Sequence, residues 1–199
     1  MKKKLAIIGA GGHGKVVGEI ALLNRYKIID FFDDKVNDIK AFPFTISGDL
    51  QSLENHINDY DEFFVAIGDN QKRYNKLEWL KKKKLDISIL IHPRSTISKF
   101  TSIGIGTCVM ANAVINPGTF IKEGVIINSS VSIDHDCIVE DFAHISPNSS
   151  LSGNVRIGKF THLGTGTSVH PKIIIGKNVK TGVGSKVFKN ILDDIVYKI

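Results

Sequence analysis

The feature that most constrains this chain is an aliphatic residue that recurs every six positions through its second half. Of the seventeen positions in this register, from Ile91 to Val187, all but Thr181 hold Ile, Leu or Val. A fixed short period means that each hexad is one structural unit, which buries its side chain only by stacking on its neighbours. Neither the helical period of 3.6 nor simple strand alternation produces a strict repeat of six. The pattern therefore predicts a parallel β-helix.

A second position in each hexad supports this prediction. Four residues after each aliphatic, the chain carries mainly small or β-branched residues, among them Thr101, Thr107 and Cys137, which fit a tight inner corner. Three hexads per turn would give coils of about 18 residues. Because no hexad between 91 and 187 is interrupted, no long loop is expected to protrude. Functional groups must then come from the faces and corners of the prism.

The first part of the chain alternates between strand and helix patterns. Strands are predicted at 4–8, 27–32, about 42–46 and 63–67, and helices at 15–23, from about 50, and at 71–84. Strands that alternate with helices indicate a parallel sheet, whose ligands bind at the carboxyl ends of the strands. The predicted fold is therefore a small Rossmann-like α/β domain over 1–90, followed by the β-helix over 91–199.

Composition narrows the class of protein. A hydrophobic content of 42% and a charged content of 23% are ordinary for a globular protein. The apolar runs are too short to span a bilayer, and the lysines at 2–4 precede too few apolar residues for a signal peptide. A cytoplasmic protein without membrane insertion is expected. The net charge of +6 is consistent with a solvated basic outer face, and alternatively with a surface that attracts a polyanionic small molecule. Nucleic acid is disfavoured, because the chain lacks interleaved aromatics and a reading helix.

A glycine turn follows the first predicted strand. Gly9, Gly11 and Gly14 match the spacing of the dinucleotide fingerprint, and Asp33 and Asp34 follow about twenty residues later. A full dinucleotide fold needs two mononucleotide halves, and 90 residues supply about one. The turn is therefore expected to bind a nucleotide or nucleotide-sugar rather than NAD. A purely structural tight turn remains the alternative.

A histidine between two carboxylates is the second candidate site. His135 lies between Asp134 and Asp136, at a position that should face outward between two inward-facing residues. A carboxylate within hydrogen-bond reach fixes the imidazole tautomer and raises its basicity, as a general base near neutral pH requires. The alternative is a solvated surface histidine. His144 and His162 should stack along one edge, but no third ligand shares their register, so no metal site is predicted.

These motifs resemble one family. The glycine turn with its histidine, the Asp33-Asp34 pair, the segment 66–70 (AIGDN) and the hexad ladder with its Asp-His-Asp-Cys segment resemble the bacterial hexapeptide-repeat sugar acetyltransferases of the N-acetylbacillosamine and sialic-acid type. The resemblance implies a left-handed β-helix and acetyl-CoA as the acyl donor. It also implies a homotrimer with active sites between neighbouring prisms.

The same resemblance assigns roles to individual residues. His135 would be the general base, supported by Asp136. The nucleotide-linked amino sugar would be bound by Gly11, Gly12, His13, Asp33, Asp34, Gly68 and Asn128. Acetyl-CoA would be bound by His144, Thr165, Gly182 and Val183.

The implied reaction is direct acetyl transfer to the amino group of a nucleotide-linked 4-amino-4,6-dideoxy sugar in glycan biosynthesis, such as that of lipopolysaccharide. It needs no covalent enzyme intermediate and no metal. The main alternative is O-acetylation of a sugar hydroxyl, as on sialic acid. A non-catalytic prism such as an ice-binding protein is disfavoured, because the outward positions mix residue types without order. A sugar nucleotidyltransferase would need a catalytic domain much larger than 90 residues.

Overall fold

The alternating segments and the six-residue ladder fold as separate units. The structure, a computed structural model, describes residues 3–35 and 43–198, and it divides into one unit up to Pro93 and a second from Arg94 onward. Residue 42, where the third strand is predicted to begin, lies outside the described residues. Within the described ranges, no helix has the length and apolar character needed to cross a membrane.

The first unit is built on a four-stranded parallel sheet in the order β3-β2-β1-β4. Strand order therefore reverses between β1 and β4, which is where open sheets of this kind bind ligands. Ile87 adds a single parallel bridge to Phe63 of β4. The elements are β1 Lys4–Ile8, α1 Gly12–Leu23, β2 Ile28–Phe32, β3 Thr45–Gly48, α2 Leu50–Asn55, a 3-10 turn Ile57–Asp59, β4 Glu62–Val65, α3 Asn70–Lys82 and β5 Leu90–Ile91.

The predicted elements of this unit are confirmed, with differences at the first helix. β1 and β4 are almost wholly buried, as expected for strands covered on both faces. α1 begins at Gly12 rather than at Lys15, because the glycine turn itself forms the first helical turn. Although both are apolar, Val16 and Leu23 are exposed. The buried face consists of Gly14, Val17, Gly18, Ile20 and Ala21.

The second unit is a parallel β-helix of two-residue strands in three parallel sheets. Phe120 of one strand pairs with Ser102 below and Ile138 above, each eighteen residues away, so one coil contains three hexads. The ladder residues point inward and are buried from Val109 to Val187. The strands are β6 Thr96–Ile97, β7 Ser102–Ile103, β8 Cys108–Val109, β9 Val114–Ile115, β10 Phe120–Ile121, β11 Ile126–Ile127, β12 Ser132–Ile133, β13 Ile138–Val139, β14 His144–Ile145, β15 Ser150–Leu151, β16 Arg156–Ile157, β17 His162–Leu163, β18 Ser168–Val169, β19 Ile174–Ile175, β20 Lys180–Thr181, β21 Lys186–Val187 and β22 Val196–Tyr197.

The corners share one backbone conformation. Every sixth residue from Gly106 to Gly184 has a positive φ, whether it is glycine or not. Asparagine and glycine occupy many of these positions, as expected for the left-handed region, but Phe142, Phe160 and Lys172 adopt it as well. The repeat therefore imposes a turn on whichever residue falls at this position.

The ladder ends with a shortened coil. Lys180 pairs with Val196 and Thr181 with Tyr197, each sixteen residues later instead of eighteen. Thr181, the polar member of the ladder, is nearly buried, and its hydroxyl accepts from the Gly164 N–H (2.9 Å). A hydroxyl at this inward position is tolerated because it is hydrogen-bonded.

Candidate active site

The first unit carries a cleft of about 600 Å³ at the carboxyl ends of β1 and β4. Six residues predicted from sequence to bind the substrate come together there, because parallel strands end at the same edge of a sheet. They are Gly11, Gly12, His13, Asp33, Asp34 and Gly68. Sequence reasoning missed four further lining residues, Lys35, Lys72, Asn75 and Lys76. The three on α3 could have been recognised from their spacing on one face of a helix that starts at this edge.

Three glycines of the cleft border space that no part of the described chain occupies. A Cβ added at Gly11, Gly12 or Gly68 would meet nothing within 4 Å. Packing within the unit therefore does not require glycine at these three positions. Of the three described α-helices, α1 is the one whose first residues receive no hydrogen bond from a capping side chain. Like the other two, it has no acidic residue in its first turn. Exposed N–H groups at such a helix start favour an anion.

His13 is a neutral histidine in this cleft. Its Nε2 is shielded from solvent and has no hydrogen-bond partner in the part of the chain that the structure describes. Burial, followed by the positive charge of Arg73, lowers the pKa of His13 from 6.5 to about 4. The imidazole is therefore uncharged at neutral pH and can offer a hydrogen bond to a ligand.

Arg73 stabilises the segment that lines one side of the cleft. Its side chain is completely buried, and the guanidinium donates to the carbonyls of Ile67 (3.0 Å) and Gly68 (3.1 Å) and to Asn70 Oδ1 (2.8 Å). These bonds hold the segment that follows β4. Sequence reasoning did not single out this residue, because an arginine on an amphipathic helix is usually solvated.

The two aspartates of the cleft differ in what they bind. Both carboxylate oxygens of Asp33 accept from backbone N–H groups, Oδ2 from Ala10 (2.8 Å) and Oδ1 from Lys35 (2.9 Å). Asp33 therefore ties the glycine turn to the end of β2. Asp34 accepts from the Leu50 N–H (3.2 Å) and forms an ion pair with Lys76 (3.3 Å), and its side chain is mostly exposed. Of the two, Asp34 is the better placed to reach a ligand.

The histidine between carboxylates lies at the corner that follows β12. His135 Nδ1 is 2.8 Å from Asp136 Oδ2, and the His135 N–H donates to Asp134 Oδ1 (2.8 Å). A carboxylate can only accept, so Nδ1 carries the proton and Nε2 is an acceptor. The Asp136 hydrogen bond, with a contribution from the charge of Asp134, raises the pKa of His135 above 6.5. A half-exposed, oriented imidazole of this kind can act as a general base.

Two glycines make room for this pair. A Cβ at Gly153, one coil further along, would lie 2.7 Å from His135 Nε2. A Cβ at Gly118, one coil before Asp136, would collide with the Asp136 carboxylate, and Gly118 has a φ of +74°. The position of the imidazole and of its partner therefore depends on glycine in both neighbouring coils.

The residues predicted to contact acetyl-CoA lie along a different edge. They belong to or follow β14, β17 and β20, which share one sheet, whereas β12 is in another. Asn128, which was predicted to bind the amino sugar instead, follows β11 of the same sheet. Asn128 Nδ2 is 3.2 Å from His144 Nε2, and the Gly184 N–H donates to the Thr165 carbonyl (2.8 Å). Val183 is 80% exposed. Within one chain, the structure thus groups Asn128, His144, Thr165, Gly182 and Val183, and it separates them from His135 and Asp136.

The two histidines of this edge stack instead of converging. The rings of His144 and His162 lie 4.4 Å apart with an angle of 6° between their planes. Across the described ranges, no group of three or more His, Cys, Asp or Glu side chains is arranged to hold a metal ion. Cys137, predicted to serve packing, is buried, and its thiol donates to the Ser152 carbonyl (3.3 Å).

Known proteins combine the same two units. Residues 4–80 match the family model described as the PglD N-terminal domain. The acetyltransferase domain of PglB from Neisseria gonorrhoeae FA1090, solved with acetyl coenzyme A, is 38% identical, covers 98% of this chain and 95% of its own, and superposes with a TM-score of 0.93. PerB from Caulobacter crescentus, solved with CoA and GDP-perosamine, is 31% identical over 97% of this chain and 92% of its own, with a TM-score of 0.89.

A curated relative agrees over a shorter stretch. The UDP-N-acetylbacillosamine N-acetyltransferase of Bacillus subtilis (strain 168) is 37% identical over 113 residues, which are 55% of this chain and 52% of the relative. The match thus spans about half the length of that protein.

Fold and site together define a hexapeptide-repeat acyltransferase with an α/β unit ahead of its left-handed β-helix. Within that class, the chain belongs to the bacterial sugar acetyltransferases of the N-acetylbacillosamine type, which confirms the resemblance noted from its motifs.

Proposed function

We propose that this protein transfers the acetyl group of acetyl-CoA to the amino group of a nucleotide-linked 4-amino-4,6-dideoxy sugar. The observation that carries the proposal is the His135–Asp136 pair, whose 2.8 Å hydrogen bond leaves Nε2 as a proton acceptor on the surface of the β-helix. The PglB domain was solved with acetyl coenzyme A and PerB with GDP-perosamine, so the substrate classes of relatives support the same reaction.

The chemistry requires one base and no covalent enzyme intermediate. The sugar amine attacks the thioester carbonyl carbon, His135 Nε2 takes a proton from the amine, and the C–S bond breaks to release the CoA thiolate, which is then protonated. Asp136 keeps the proton on Nδ1 and stabilises the imidazolium that forms. A positioned base of this kind contributes about 10²- to 10⁴-fold to the rate, and holding both substrates together contributes more.

The cleft of the first unit is the proposed site for the nucleotide part. The uncapped start of α1 offers N–H groups to phosphate oxygens, and Lys35, Lys72 and Lys76 add positive charge. The open space at Gly11, Gly12 and Gly68 lets a ligand approach the backbone. His13, held neutral, can bond to a ligand without adding charge. These features favour a nucleoside diphosphate over an uncharged sugar.

Acetyl-CoA is proposed to bind along the edge that carries His144, Thr165, Gly182 and Val183. Because this edge is separate from the His135 corner within one chain, a site that contains both is incomplete in the monomer. A homotrimer, in which a neighbour's edge faces the corner of each prism, satisfies this requirement. A cytoplasmic location accompanies the proposal, since both co-substrates are cytoplasmic metabolites.

The proposal is tested by CoA release from acetyl-CoA with a panel of UDP-, dTDP- and GDP-linked 4-amino sugars. Turnover with one member of the panel, an N-acetyl product by mass spectrometry and loss of turnover in His135→Ala are expected. Turnover with free sialic acid, combined with weak binding of every nucleotide, would establish O-acetylation instead. Mild alkaline hydrolysis of the product separates the two reactions, because it removes an O-acetyl ester and leaves an N-acetyl amide intact.

A further inference from the structure

A second carboxylate lies beside His135, and it does not bond to the ring. Asp134 Oδ1 accepts two hydrogen bonds, one from the His135 N–H (2.8 Å) and one from Asn116 Nδ2 (3.2 Å), which lies one coil earlier. A carboxylate can only accept, so the Asn116 atom that faces it is the NH₂ group. These two bonds fix the orientation of the Asp134 carboxylate.

The two carboxylates that flank His135 differ in what their oxygens contact. Asp136 uses both, since Oδ2 faces His135 Nδ1 and Oδ1 fills the space that a side chain at Gly118 would need. Asp134 uses one, since Oδ2 has no hydrogen-bond partner among residues 3–35 and 43–198. Asp134 Oδ2 is therefore the carboxylate oxygen of this corner that is left for a ligand.

An acidic residue occupies this corner position in one coil. The residues that directly follow the ladder here are Ser98, Asn116, Asp134, Ser152, His170 and Phe188. The acidic one is in the coil that carries His135, and after the Asp136 hydrogen bond its charge is the next cause of the raised pKa of His135. Turn formation does not require a carboxylate, because asparagine or serine can also accept from a neighbouring backbone N–H.

We propose that Asp134 selects an amine over a hydroxyl, by accepting a hydrogen bond from the acceptor nitrogen of the sugar. The corner presents two acceptors, His135 Nε2 and Asp134 Oδ2. A neutral amine has two hydrogens and one lone pair, so it can donate to both and direct the lone pair at the thioester carbon. A hydroxyl has one hydrogen, so it leaves one acceptor unpaired. This inference rests on the acetyl transfer proposed above and restricts it to nitrogen.

The proton count agrees with this assignment. As the amine attacks, its nitrogen becomes positively charged, and the proton that faces His135 passes to Nε2 while the C–S bond breaks. The hydrogen that faces Asp134 stays on the nitrogen and becomes the N–H of the amide product. During the attack, the Asp134 carboxylate stabilises the positive charge on the nitrogen.

Binding measurements separate this role from catalysis. Dissociation constants are measured at about pH 9, where the amine is mostly neutral, for a nucleotide-linked 4-amino-4,6-dideoxy sugar of the panel above and for the same compound with a hydroxyl in place of the amine. The wild type should bind the amine at least about 10-fold more tightly. Asp134→Asn keeps an oxygen for the His135 N–H but replaces Oδ2 with an NH₂ group, so the preference should fall to about twofold or less.

Two further variants keep the test independent of folding and of charge. Asp134→Ser introduces the residue found one coil later at this position, and it should lose the preference as well. Asp136→Asn is the matched control, because it removes the other negative charge beside His135. It should retain the preference, since the oxygens of Asp136 face His135 and Gly118.

Steady-state kinetics at the same pH give a second measurement. Asp134→Asn should lower kcat/KM for the amino sugar by about 10- to 100-fold, with KM for acetyl-CoA unchanged within about twofold. A wild type without the preference, an Asp134→Asn variant that keeps it, or an equal loss of it in Asp136→Asn would overturn the inference. A preference that depends on Asp134, without acetyl transfer to any amino sugar, would instead refute the proposed function alone.

Discussion

The two units of this protein each place a histidine at a candidate site, and their surroundings shift its pKa in opposite directions. His13 is shielded and lies near the buried Arg73, so its pKa falls to about 4. His135 is half-exposed and lies between two aspartates, so its pKa rises above 6.5. One imidazole is neutral over the physiological range, whereas the other can take up a proton in that range. Under the proposed reaction, the same residue type would serve binding in one unit and proton transfer in the other.

The two units also differ in the kind of contacts that hold their residues in position. In the first unit, non-repeating contacts such as those of Arg73 and Asp33 hold the cleft. In the β-helix, the repeat gives every sixth residue from Gly106 to Gly184 a positive φ, and the proposed base lies at a corner that differs from the others in residue type. Substitutions should therefore act locally on chemistry in the β-helix and on the stability of the whole cleft in the first unit.

The largest expected effect is on catalysis at the β-helix corner. His135→Ala should lower kcat by about 10²- to 10⁴-fold, because the proton acceptor is lost. The unfolding free energy should change little, since the side chain is half-exposed. His170→Ala, an exposed histidine two coils beyond Asp134 at the same corner, should keep nearly normal turnover. Equal losses in both variants would show that the corner is structural. Steady-state kinetics and chemical denaturation together provide the measurement.

The next effect concerns the stability of the first unit at low pH. Because the pKa of His13 is near 4 when folded and near 6.5 when unfolded, the unfolded chain binds more protons between these values. Stability should therefore fall as the pH drops from about 6.5 to about 4, by on the order of 3 kcal/mol. Hydrogen exchange of β1 and β4 amides reports this loss. His13→Gln should be less sensitive to pH than the wild type by about this amount, and an identical pH dependence would contradict the burial argument.

Much of this arrangement could be predicted from sequence because its causes repeat or are local. The six-residue ladder predicts each two-residue strand from Thr96 to Val187, and parallel strands necessarily bring the glycine turn and Gly68 to one edge. Contacts without a period could not be predicted. From the sequence alone, Arg73 is expected to be a solvated surface residue. The contact between Asn128 and His144 joins residues sixteen apart, and sixteen is not a multiple of six. The shortened last coil likewise breaks the period that identified the others.

The pH dependence of turnover tests the opposite shift at the corner. Deprotonated His135 is the proposed base, so kcat/KM should rise with pH through a midpoint above 6.5. Asp136→Asn removes the largest cause of the raised pKa, and the midpoint should move to lower pH, with a loss in kcat on the order of tenfold. Asparagine suits the positive φ of this position, so folding should be preserved. A midpoint that moves upward or stays in place would show that Asp136 does not set the basicity of His135.

A smaller effect is expected from crowding the same imidazole. Gly153→Ala puts a methyl group where the structure leaves 2.7 Å to His135 Nε2, so the ring must shift or rotate. Turnover should fall by roughly 3- to 10-fold, because small misplacements of a catalytic group are costly. Pro171→Ala, one coil further at the same corner, adds no atom beside the ring and serves as the control. Unchanged turnover in Gly153→Ala would mean that the His135 ring can move away from the added methyl group without losing its catalytic position.

The smallest effect tests whether the repeat, rather than the residue, sets the corner conformation. Lys172 has a φ of +63°, which a lysine adopts at a cost and an asparagine adopts readily. Lys172→Asn should therefore raise the unfolding free energy of the β-helix by about 0.5 kcal/mol without altering turnover. The reverse change at the equivalent position, Asn112→Lys, should lower it by a similar amount, since Asn112 has a φ of +59°. Chemical denaturation measures both. If neither variant changes stability, side-chain preference at the corners contributes nothing, and stacking of the inward ladder alone maintains the left-handed turns.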